Sequence, residues 1–346
     1  MRRALLVFCW VWPVAVWALP GGYLDESDDW YRSDDGRRIA ESVLSYQSAE
    51  FGGWPKNVDT TQERPQKFDA SAARPTFDNS ATLVEMRLLA RFYRATENPA
   101  YRRAFERGLD YILRAQYRSG GWPQSYPPDD SYHRRITFND GAMANVLGFL
   151  QEICTEDLYA FLGSERRAVV QEAVDRGIDC IVRAQVRVNG VPTVWCAQHD
   201  EETLRPAKGR KYELVSLSGA ESTDVVRVLM NVPHPAPAVV AAVEAAVAWF
   251  RRSEIRGVRV VERPKEKTPG RWREVIPDAR AKGIWARMYE VETNEPMFAG
   301  RDGIPCVGLD QAGFGRPGYE WFGVWPRKLL DKDYPAWRER LTARAR

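Results

Sequence analysis

The chain has 346 residues, 44% of them hydrophobic and 28% charged, which suits one large domain or two ordinary ones and excludes disorder over most of its length. Its 50 lysines and arginines nearly balance 47 aspartates and glutamates, for a net charge of +3. That balance excludes the electrostatic footprint of a nucleic-acid-binding protein, but it permits a local basic cleft for an anion. Tryptophan is the compositional outlier, with 13 residues; each is either a core side chain or a flat surface for a sugar ring.

The first 18 residues predict an export signal. Two arginines precede an apolar stretch that ends in small residues around Ala18, which is typical of a secretory signal peptide. The stretch is short for a membrane span and no later stretch qualifies, so we expect no span in the mature chain and a secreted protein, extracellular or periplasmic. The polar, turn-rich residues 19–36 predict a flexible leader, and residues 37–346 the catalytic domain.

An internal repeat organises the rest of the chain. RGLDYILRAQ (107–116) recurs as RGIDCIVRAQ (176–185), identical at 7 of 10 positions. Between such copies, 76–93 matches 137–153, both with helical apolar spacing, and 216–252 is a weaker third copy. Helix pairs that cannot each bury a face alone do so by closing around one another. We therefore predict a mainly α fold, an (α/α)3 toroid or barrel of antiparallel helical hairpins with long loops at one rim.

The C-terminal part departs from the repeat. Residues 257–264 alternate like a strand, and residues 278–326 are rich in glycine, arginine and aromatics without helical periodicity. We expect irregular structure with a few short strands there, followed by a terminal helix over 333–346. Four cysteines lie beyond the export signal, Cys154, Cys180, Cys196 and Cys306. The sequence does not decide whether they form disulfides or remain buried thiols.

Two acidic positions stand at matching ends of repeated helices. Asp78 and Asp140 lie 62 residues apart, accompanied by Asn79 and Asn139. A single Asp or Asn there would be an ordinary helix N-cap. Two copies at one rim instead predict converging carboxylate and amide oxygens, the donors that Ca²⁺ prefers. A site with so few protein ligands leaves room for an anionic substrate.

Basic residues gather in three glycine-containing segments, GRKYE (209–213), KGIWAR (282–287) and GRDG (300–303). Arginine forks suit bidentate recognition of carboxylates, although each one alone could be a solvated surface residue. Histidine is scarce; His199, in WCAQHDEET, either contacts substrate or fixes its loop. The absence of GxSxG, HExxH, P-loop and GxGxxG motifs excludes serine hydrolases of that type, zincins and dinucleotide enzymes.

The motifs FGGWPKN, TFDNSAT, ITFNDGAM, VWCAQHDEETLRPAKGRKYE, ETNEPMFAGRDG and GYEWFGVWP resemble those of family-10 pectate lyases. The resemblance runs in order over about residues 37–328 and includes irregular loops as well as helices. It implies a helical toroid and calcium-dependent β-elimination of polygalacturonate or pectin. It gives no reason to expect a nucleic-acid partner, and a monomer is the default oligomeric state.

The same resemblance implies roles for individual residues. Asp78 and Asp140 would lie at the calcium and substrate centre, and Arg210 would be the catalytic arginine. Arg287 and Arg301 would bind uronate carboxylates. We add two further residues of these motifs as candidate substrate contacts, Asn79 and His199.

The proposed chemistry accounts for these residue types. The C5 proton of a galacturonate unit is weakly acidic, and a cation and an arginine at its carboxylate stabilise the enolate-like charge that forms on proton removal. Arg210 takes the proton, the C4 oxygen leaves, and the product is a 4,5-unsaturated oligogalacturonide. A neutral arginine needs its pKa lowered, because the guanidinium is normally always charged.

Three alternatives remain open from the sequence. A glycoside hydrolase on an α/α toroid would use Asp78 and Asp140 as its carboxylate pair. A terpene-cyclase type of toroid is favoured by the Q-x3-G-x-W pattern at 116–122, but the chain has no DxDD motif and is short for two barrels. A non-catalytic pectin-binding protein could keep the same fold.

Overall fold

The computed structural model describes residues 20–70, 73–264, 271–306 and 319–344; the predicted signal peptide lies outside them. Within that part the α-helices are α1 (Asp28–Arg32), α2 (Asp34–Tyr46), α3 (Leu83–Thr96), α4 (Pro99–Ala115), α5 (Ala142–Thr155), α6 (Gly163–Ala184), α7 (Glu221–Met230), α8 (Pro237–Arg252), α9 (Trp325–Lys328) and α10 (Tyr334–Arg344). Short 3₁₀ turns precede α3 and α5, at Asp78–Ser80 and Asn139–Gly141. No helix in the described ranges is long and apolar enough to cross a bilayer.

The strands are short, apart from one hairpin. They are β1 (Ile136–Thr137), β2 (Arg187–Val188), β3 (Val191–Pro192), β4 (Gln198–His199), β5 (Pro206–Ala207), β6 (Leu217–Ser218), β7 (Val258–Pro264), β8 (Arg271–Pro277), β9 (Trp285–Ala286), β10 (Met288–Tyr289), β11 (Phe298–Ala299), β12 (Pro305–Cys306) and β13 (Phe322–Gly323). A three-stranded sheet has the order β1-β4-β5, and the others pair in twos, all antiparallel.

The helices confirm the mainly α prediction. Consecutive helices pack as three hairpins, α3 with α4, α5 with α6 and α7 with α8. The first helices of the hairpins, α3, α5 and α7, also pack side by side, while α2, α4, α6 and α8 form the outer layer. The result is the predicted (α/α)3 toroid, with one further helix, α2, ahead of the three hairpins.

A glutamine at the end of an outer helix joins it to the next one. The Nε2 of Gln47, which follows α2, donates a 2.8 Å hydrogen bond to the Ala104 carbonyl in α4. Gln116 and Gln185 make the same bond to α6 and α8, each at 2.9 Å. Each glutamine also donates to a carbonyl of its own following loop. The repeated glutamines therefore fix both the helix spacing and the start of each loop.

Four tryptophans in these loops are hydrogen-bonded to the outer helices that precede them. The Nε1 atoms of Trp54, Trp122, Trp195 and Trp285 donate to carbonyls of α2, α4, α6 and α8 over 2.7–2.8 Å. All four side chains are buried, so these tryptophans are core residues and not sugar platforms.

The repeated glycine makes room for these rings. A Cβ atom at Gly108 would lie 3.1 Å from the Trp54 ring, and one at Gly177 would lie 2.8 Å from the Trp122 ring. Glycine therefore recurs in the RG(L/I)D motif because the tryptophan of the preceding repeat packs against the helix there.

The expectation of a flexible leader over 19–36 was wrong for the described residues. They form a 3₁₀ turn, the whole of α1 and the start of α2, with Ser27 and Ser33 accepting N-cap hydrogen bonds of 3.2 and 3.1 Å. Tyr31 is buried against Phe92 of α3, with ring centroids 4.9 Å apart. The acidic and serine-rich composition that suggested a loop is that of helix N-termini.

Cys154, Cys180 and Cys196 are thiols and form no disulfide. Cys180 and Cys196 are buried, and Cys154 is half-buried. Burial raises the pKa of the Cys180 thiol to about 12, so this side chain behaves as an apolar core residue.

One carboxylic acid, Glu85, lies in the helical core. It is on α3 and accepts a 3.1 Å hydrogen bond from Thr60 at Oε1, while Oε2 is buried without a hydrogen-bond partner in the described structure. Burial raises the pKa of Glu85 to about 7. Between pH 4.5 and about 7, the folded protein therefore keeps a proton on Glu85 that the unfolded chain has released.

Glu85→Gln should change how stability depends on pH. The wild-type free energy of unfolding should lose about 3 kcal/mol as pH rises from 4.5 to 7, since only the folded state keeps the proton in that window. The variant should lack this loss and become relatively more stable above pH 7. Urea unfolding at several pH values measures this, with the exposed Glu172→Gln as control. Parallel pH dependences in wild type and Glu85→Gln would contradict the assignment.

Candidate active site

A polar cavity of about 470 Å³ lies where the loops of successive repeats meet. Its walls carry five of the residues selected from the sequence, Asp78, Asn79, Asp140, Arg210 and Arg287. The remaining lining residues are Lys56, Asn57, Gln124, Tyr132, Asn139, Tyr319 and Glu320. The structure thus brings together side chains that are as far as 264 positions apart in the chain, from Lys56 to Glu320.

Two matching 3₁₀ turns present the acidic residues. The Phe77 amide donates to Gln124 O over 2.9 Å, and the Asn139 amide donates to Ala197 O over 3.1 Å, so each turn is joined to the loop of the next repeat. Asn79 and Asp140, at equivalent positions, have φ of 53° and 51°. Asn and Asp adopt this left-handed conformation more readily than other non-glycine residues. The swapped order, Asp-Asn in one turn and Asn-Asp in the other, therefore fits both backbones.

Neither Asp78 nor Asp140 caps a helix, so the N-cap role that the sequence left open does not apply to them. Neither 3₁₀ turn contains a side-chain capping hydrogen bond. The buried Asp78 carboxylate instead receives Lys56 Nζ and Gln124 Nε2 at its Oδ2, the latter at 2.8 Å. Its carboxylate is therefore oriented by two donors from two different loops.

Asp140 is the more weakly held carboxylate. Asn139 Nδ2 donates to its Oδ2 over 2.7 Å, and Arg210 Nη2 lies 4.0 Å from the same oxygen. Burial, together with the negative charges of Asp78 and Glu221, raises the pKa of Asp140 despite the nearby arginines. An added cation would relieve this repulsion.

Arg210 is held by the turn that contains it. Glu213 is buried; its Oε2 accepts from the Arg210 backbone amide over 2.9 Å, and its Oε1 lies 2.9 Å from Arg210 Nη2. Burial alone would lower the pKa of the Arg210 guanidinium, but the ion pair with Glu213 outweighs burial and raises that pKa above its ordinary value. In this arrangement Arg210 carries its proton.

Arg287 is fixed from three sides. Its Nη1 lies 2.6 Å from the buried Glu221 Oε1, and its Nε donates to the Glu320 carbonyl over 3.0 Å. The guanidinium also lies over the rings of Tyr319 and Trp325, at 5.1 and 5.3 Å from their centroids. Such a side chain presents its remaining N–H donors in one orientation.

Two candidates lie outside the cavity. His199 is completely buried: its Nε2 accepts from the Cys196 amide over 3.0 Å, so Nδ1 carries the proton and donates to Leu204 O over 2.8 Å. We therefore correct its assignment as a substrate contact; it fixes its loop, the other role left open by the sequence. Arg301 is exposed, on a turn whose Gly303 packs against the Lys211 backbone beside Arg210.

Sequence reasoning missed most of the partners of the predicted residues. Lys56 and Gln124 each follow a repeated tryptophan by two positions, so superposing the repeats would have paired them. Glu213 lies within GRKYE, three positions after Arg210, so the spacing of that motif was the available signal. Glu221 lies in LSGAES (217–222), and no local pattern distinguishes it from a surface glutamate, since it meets Arg287 only in the folded chain.

The donor set fits a hard cation with an incomplete protein shell. Asp78 Oδ1 and Gln124 Oε1 are buried oxygens without hydrogen-bond partners in the described structure. The Asp140 carboxylate lines the same cavity. Carboxylate and amide oxygens are calcium donors. The described residues contain no cluster of three His, Cys, Asp or Glu side chains suited to a metal, so other ligands would have to complete the coordination.

The comparisons with known proteins agree with the geometry. Residues 47–330 match the family model for pectic acid lyase. The fold is similar to a family 10 polysaccharide lyase from Cellvibrio cellulosa, with a TM-score of 0.75, 32% identity, and coverage of 91% of this chain and 95% of that one. An alanine mutant of that lyase, in complex with trigalacturonic acid, gives the same score and identity over 97% of its chain. A search of curated proteins found no match.

The corrected role of His199 predicts a structural phenotype. Burial lowers the pKa of His199 to about 4, so its ring signals should not titrate between pH 5 and 9 in NMR. His199→Leu should lower the free energy of unfolding by about 3 kcal/mol, because a buried amide and a buried carbonyl lose their partner. The exposed His234→Leu is the control. A His199 ring that titrates near pH 6.5 would contradict the assignment.

Proposed function

The chain belongs to the pectic acid lyase family and is a polysaccharide lyase, and on that premise we propose that it cleaves α-1,4-linked polygalacturonate by calcium-assisted β-elimination. One observation carries the proposal: a single cavity places two carboxylates, Asp78 and Asp140, against two fixed guanidinium groups, Arg210 and Arg287. The carboxylates suit a cation, and the guanidinium groups suit the uronate carboxylate.

Arg287 is the proposed carboxylate-binding residue. Its ion pair with Glu221 and its two aromatic contacts leave it little freedom, so a substrate carboxylate would be bound without a further loss of side-chain entropy. Bidentate binding would orient the sugar ring and thereby its C5–H bond. Asn79, which lines the cavity, and the exposed Arg301 are proposed as contacts to the same chain of sugars.

Arg210 is the proposed base for the C5 proton. Arg210 can act as a base only after it has lost its own proton. Because Glu213 raises the pKa of Arg210, the reaction depends on alkaline pH. The positive charges of Lys56 and Arg287 on the same cavity favour that loss. Proton transfer from C5, departure of the C4 oxygen and formation of the C4–C5 double bond then give the unsaturated product.

The proposed calcium ligands are the carboxylates of Asp78 and Asp140 and the side-chain oxygen of Gln124, Oε1. A calcium ion there would stabilise the negative charge that develops on the substrate carboxylate. Lys56 pairs with Asp78 Oδ2 and so orients this carboxylate. We also propose that residues 1–18 direct export, since pectin is an extracellular polymer.

Absorbance at the ultraviolet band of the conjugated product, with polygalacturonate at alkaline pH, tests the proposal. We expect a rise that requires calcium, stops with chelator, and falls by at least about 100-fold in Asp140→Ala and Arg210→Ala. His133→Leu, outside the cavity, is the control. Reducing ends without absorbance would mean hydrolysis by the two aspartates and would overturn the proposal.

The pH profile gives a second test. The rate should still increase with pH above 8, because the protonated form of Arg210 is inactive as a base and its pKa is raised. The measurement is initial rate against pH at saturating calcium. A rate that is flat from pH 6 to 10 would exclude Arg210 as the base.

A further inference from the structure

Two tyrosines connect the two arginines of the cavity. The Arg210 guanidinium lies 5.7 Å from the centroid of the Tyr212 ring, and the Arg287 guanidinium lies 5.1 Å from that of Tyr319. The two rings contact each other edge to face, with centroids 5.3 Å apart and an interplanar angle of 82°. Edge-to-face pairs of this kind have a preferred geometry, so each ring restricts the position of the other.

Two glutamates hold the outer ends of this chain of contacts. Glu213 binds both the backbone amide and the guanidinium of Arg210. Glu221 pairs with Arg287 and also accepts a hydrogen bond from Ser218, the last residue of β6. Both carboxylates are buried, so neither pair exchanges freely with water.

We propose that Glu213, Tyr212, Tyr319 and Glu221 form a positioning arch, which sets the separation and orientation of the two guanidinium groups and thereby the fit of the uronate chain. The arch deepens the proposed function and rests on it. Tyr212, Glu213 and Glu221 act through the arginines, because in the described structure they are not among the cavity-lining residues; Tyr319 both supports Arg287 and lines the cavity.

The Tyr212–Tyr319 contact couples the residues that support Arg210 to those that support Arg287. Arg210 and Arg287 come from loops 77 residues apart, and no hydrogen bond joins them in the described structure. The Tyr212–Tyr319 contact is the aromatic link between their supports. A displaced Tyr212 should therefore move both arginines, although its ring lies under Arg210 alone. A shift of about 1 Å in such groups can lower a rate about 100-fold.

Tyr212→Leu separates the arch from a local role. We expect kcat to fall about 10-fold, through Arg210, and KM for trigalacturonate to rise about 10-fold, through Arg287. Tyr212→Phe should restore both values, because the ring and not the hydroxyl makes the contacts. Tyr212→Leu and Tyr319→Leu should be non-additive, since each breaks the same link.

Tyr93→Leu is the matched control. Tyr93 is also half-buried and contacts Phe161 edge to face, with centroids 4.8 Å apart, but it lies on α3 away from the cavity. The melting temperature of every variant is measured alongside. A lower kcat with unchanged KM in a folded Tyr212→Leu would overturn the arch, as would strict additivity with Tyr319→Leu.

Calorimetric binding of trigalacturonate distinguishes failure of the arch from failure of the proposed function. Wild-type protein that forms no unsaturated product would refute the elimination chemistry. The arch would still be supported if Tyr212→Leu weakened binding about 10-fold and Tyr212→Phe did not. Equal affinities in wild type and a folded Tyr212→Leu would overturn the arch whether or not the protein is active.

Discussion

The indole hydrogen bonds of the four repeated tryptophans are the constraint on which the rest of the structure depends. Each joins a loop to the outer helix that precedes it, and three glutamines join that helix to the next. Because the loops are fixed at the tryptophan, the residue two positions later is also fixed. Lys56 and Gln124 occupy this position in successive repeats, and both contact Asp78. The packing of the toroid is thus transmitted directly to the carboxylate at its rim.

The charges of the cavity are largely compensated within the protein. Asp78 pairs with Lys56, Arg210 with Glu213, and Arg287 with Glu221. Attraction of a polyanion by net charge is therefore weak here, in keeping with the near-neutral composition. In the proposed function, recognition would therefore come from the direction of the remaining donors and from a cation at the Asp78 and Asp140 oxygens. Compensation also explains how so many ionic groups can be partly buried together, because each buried charge has a partner.

The sequence predicted the features that repeat and the features that carry a motif. Helical periodicity and the 107–116 and 176–185 copies were sufficient for the toroid. The family resemblance selected four residues that line the cavity, and Asn79, which was added to them, lines it as well. The leader was misjudged because serine and aspartate favour both loops and helix N-termini, and only the packing of Tyr31 distinguishes the two. His199 was ambiguous because both of its partners are backbone groups, which no side-chain pattern reveals. Glu221 was missed because it meets Arg287 across 66 positions of sequence.

The repeat also explains how a pseudo-symmetric scaffold carries an asymmetric site. Equivalent positions have equivalent backbones but different side chains: Lys56 corresponds to Gln124, and the Asp78-Asn79 turn corresponds to Asn139-Asp140. Asp78 and Asn139 occupy the buried position of each turn, and Asn79 and Asp140 occupy the left-handed position. Because Asp and Asn both suit either position, exchanging them moves the charge without changing the backbone. One carboxylate is consequently buried and rigidly paired, while the other is more exposed and repelled by it. A single cation between them would have one fixed ligand and one adaptable ligand, which is an arrangement suited to a site that must exchange water for substrate oxygens.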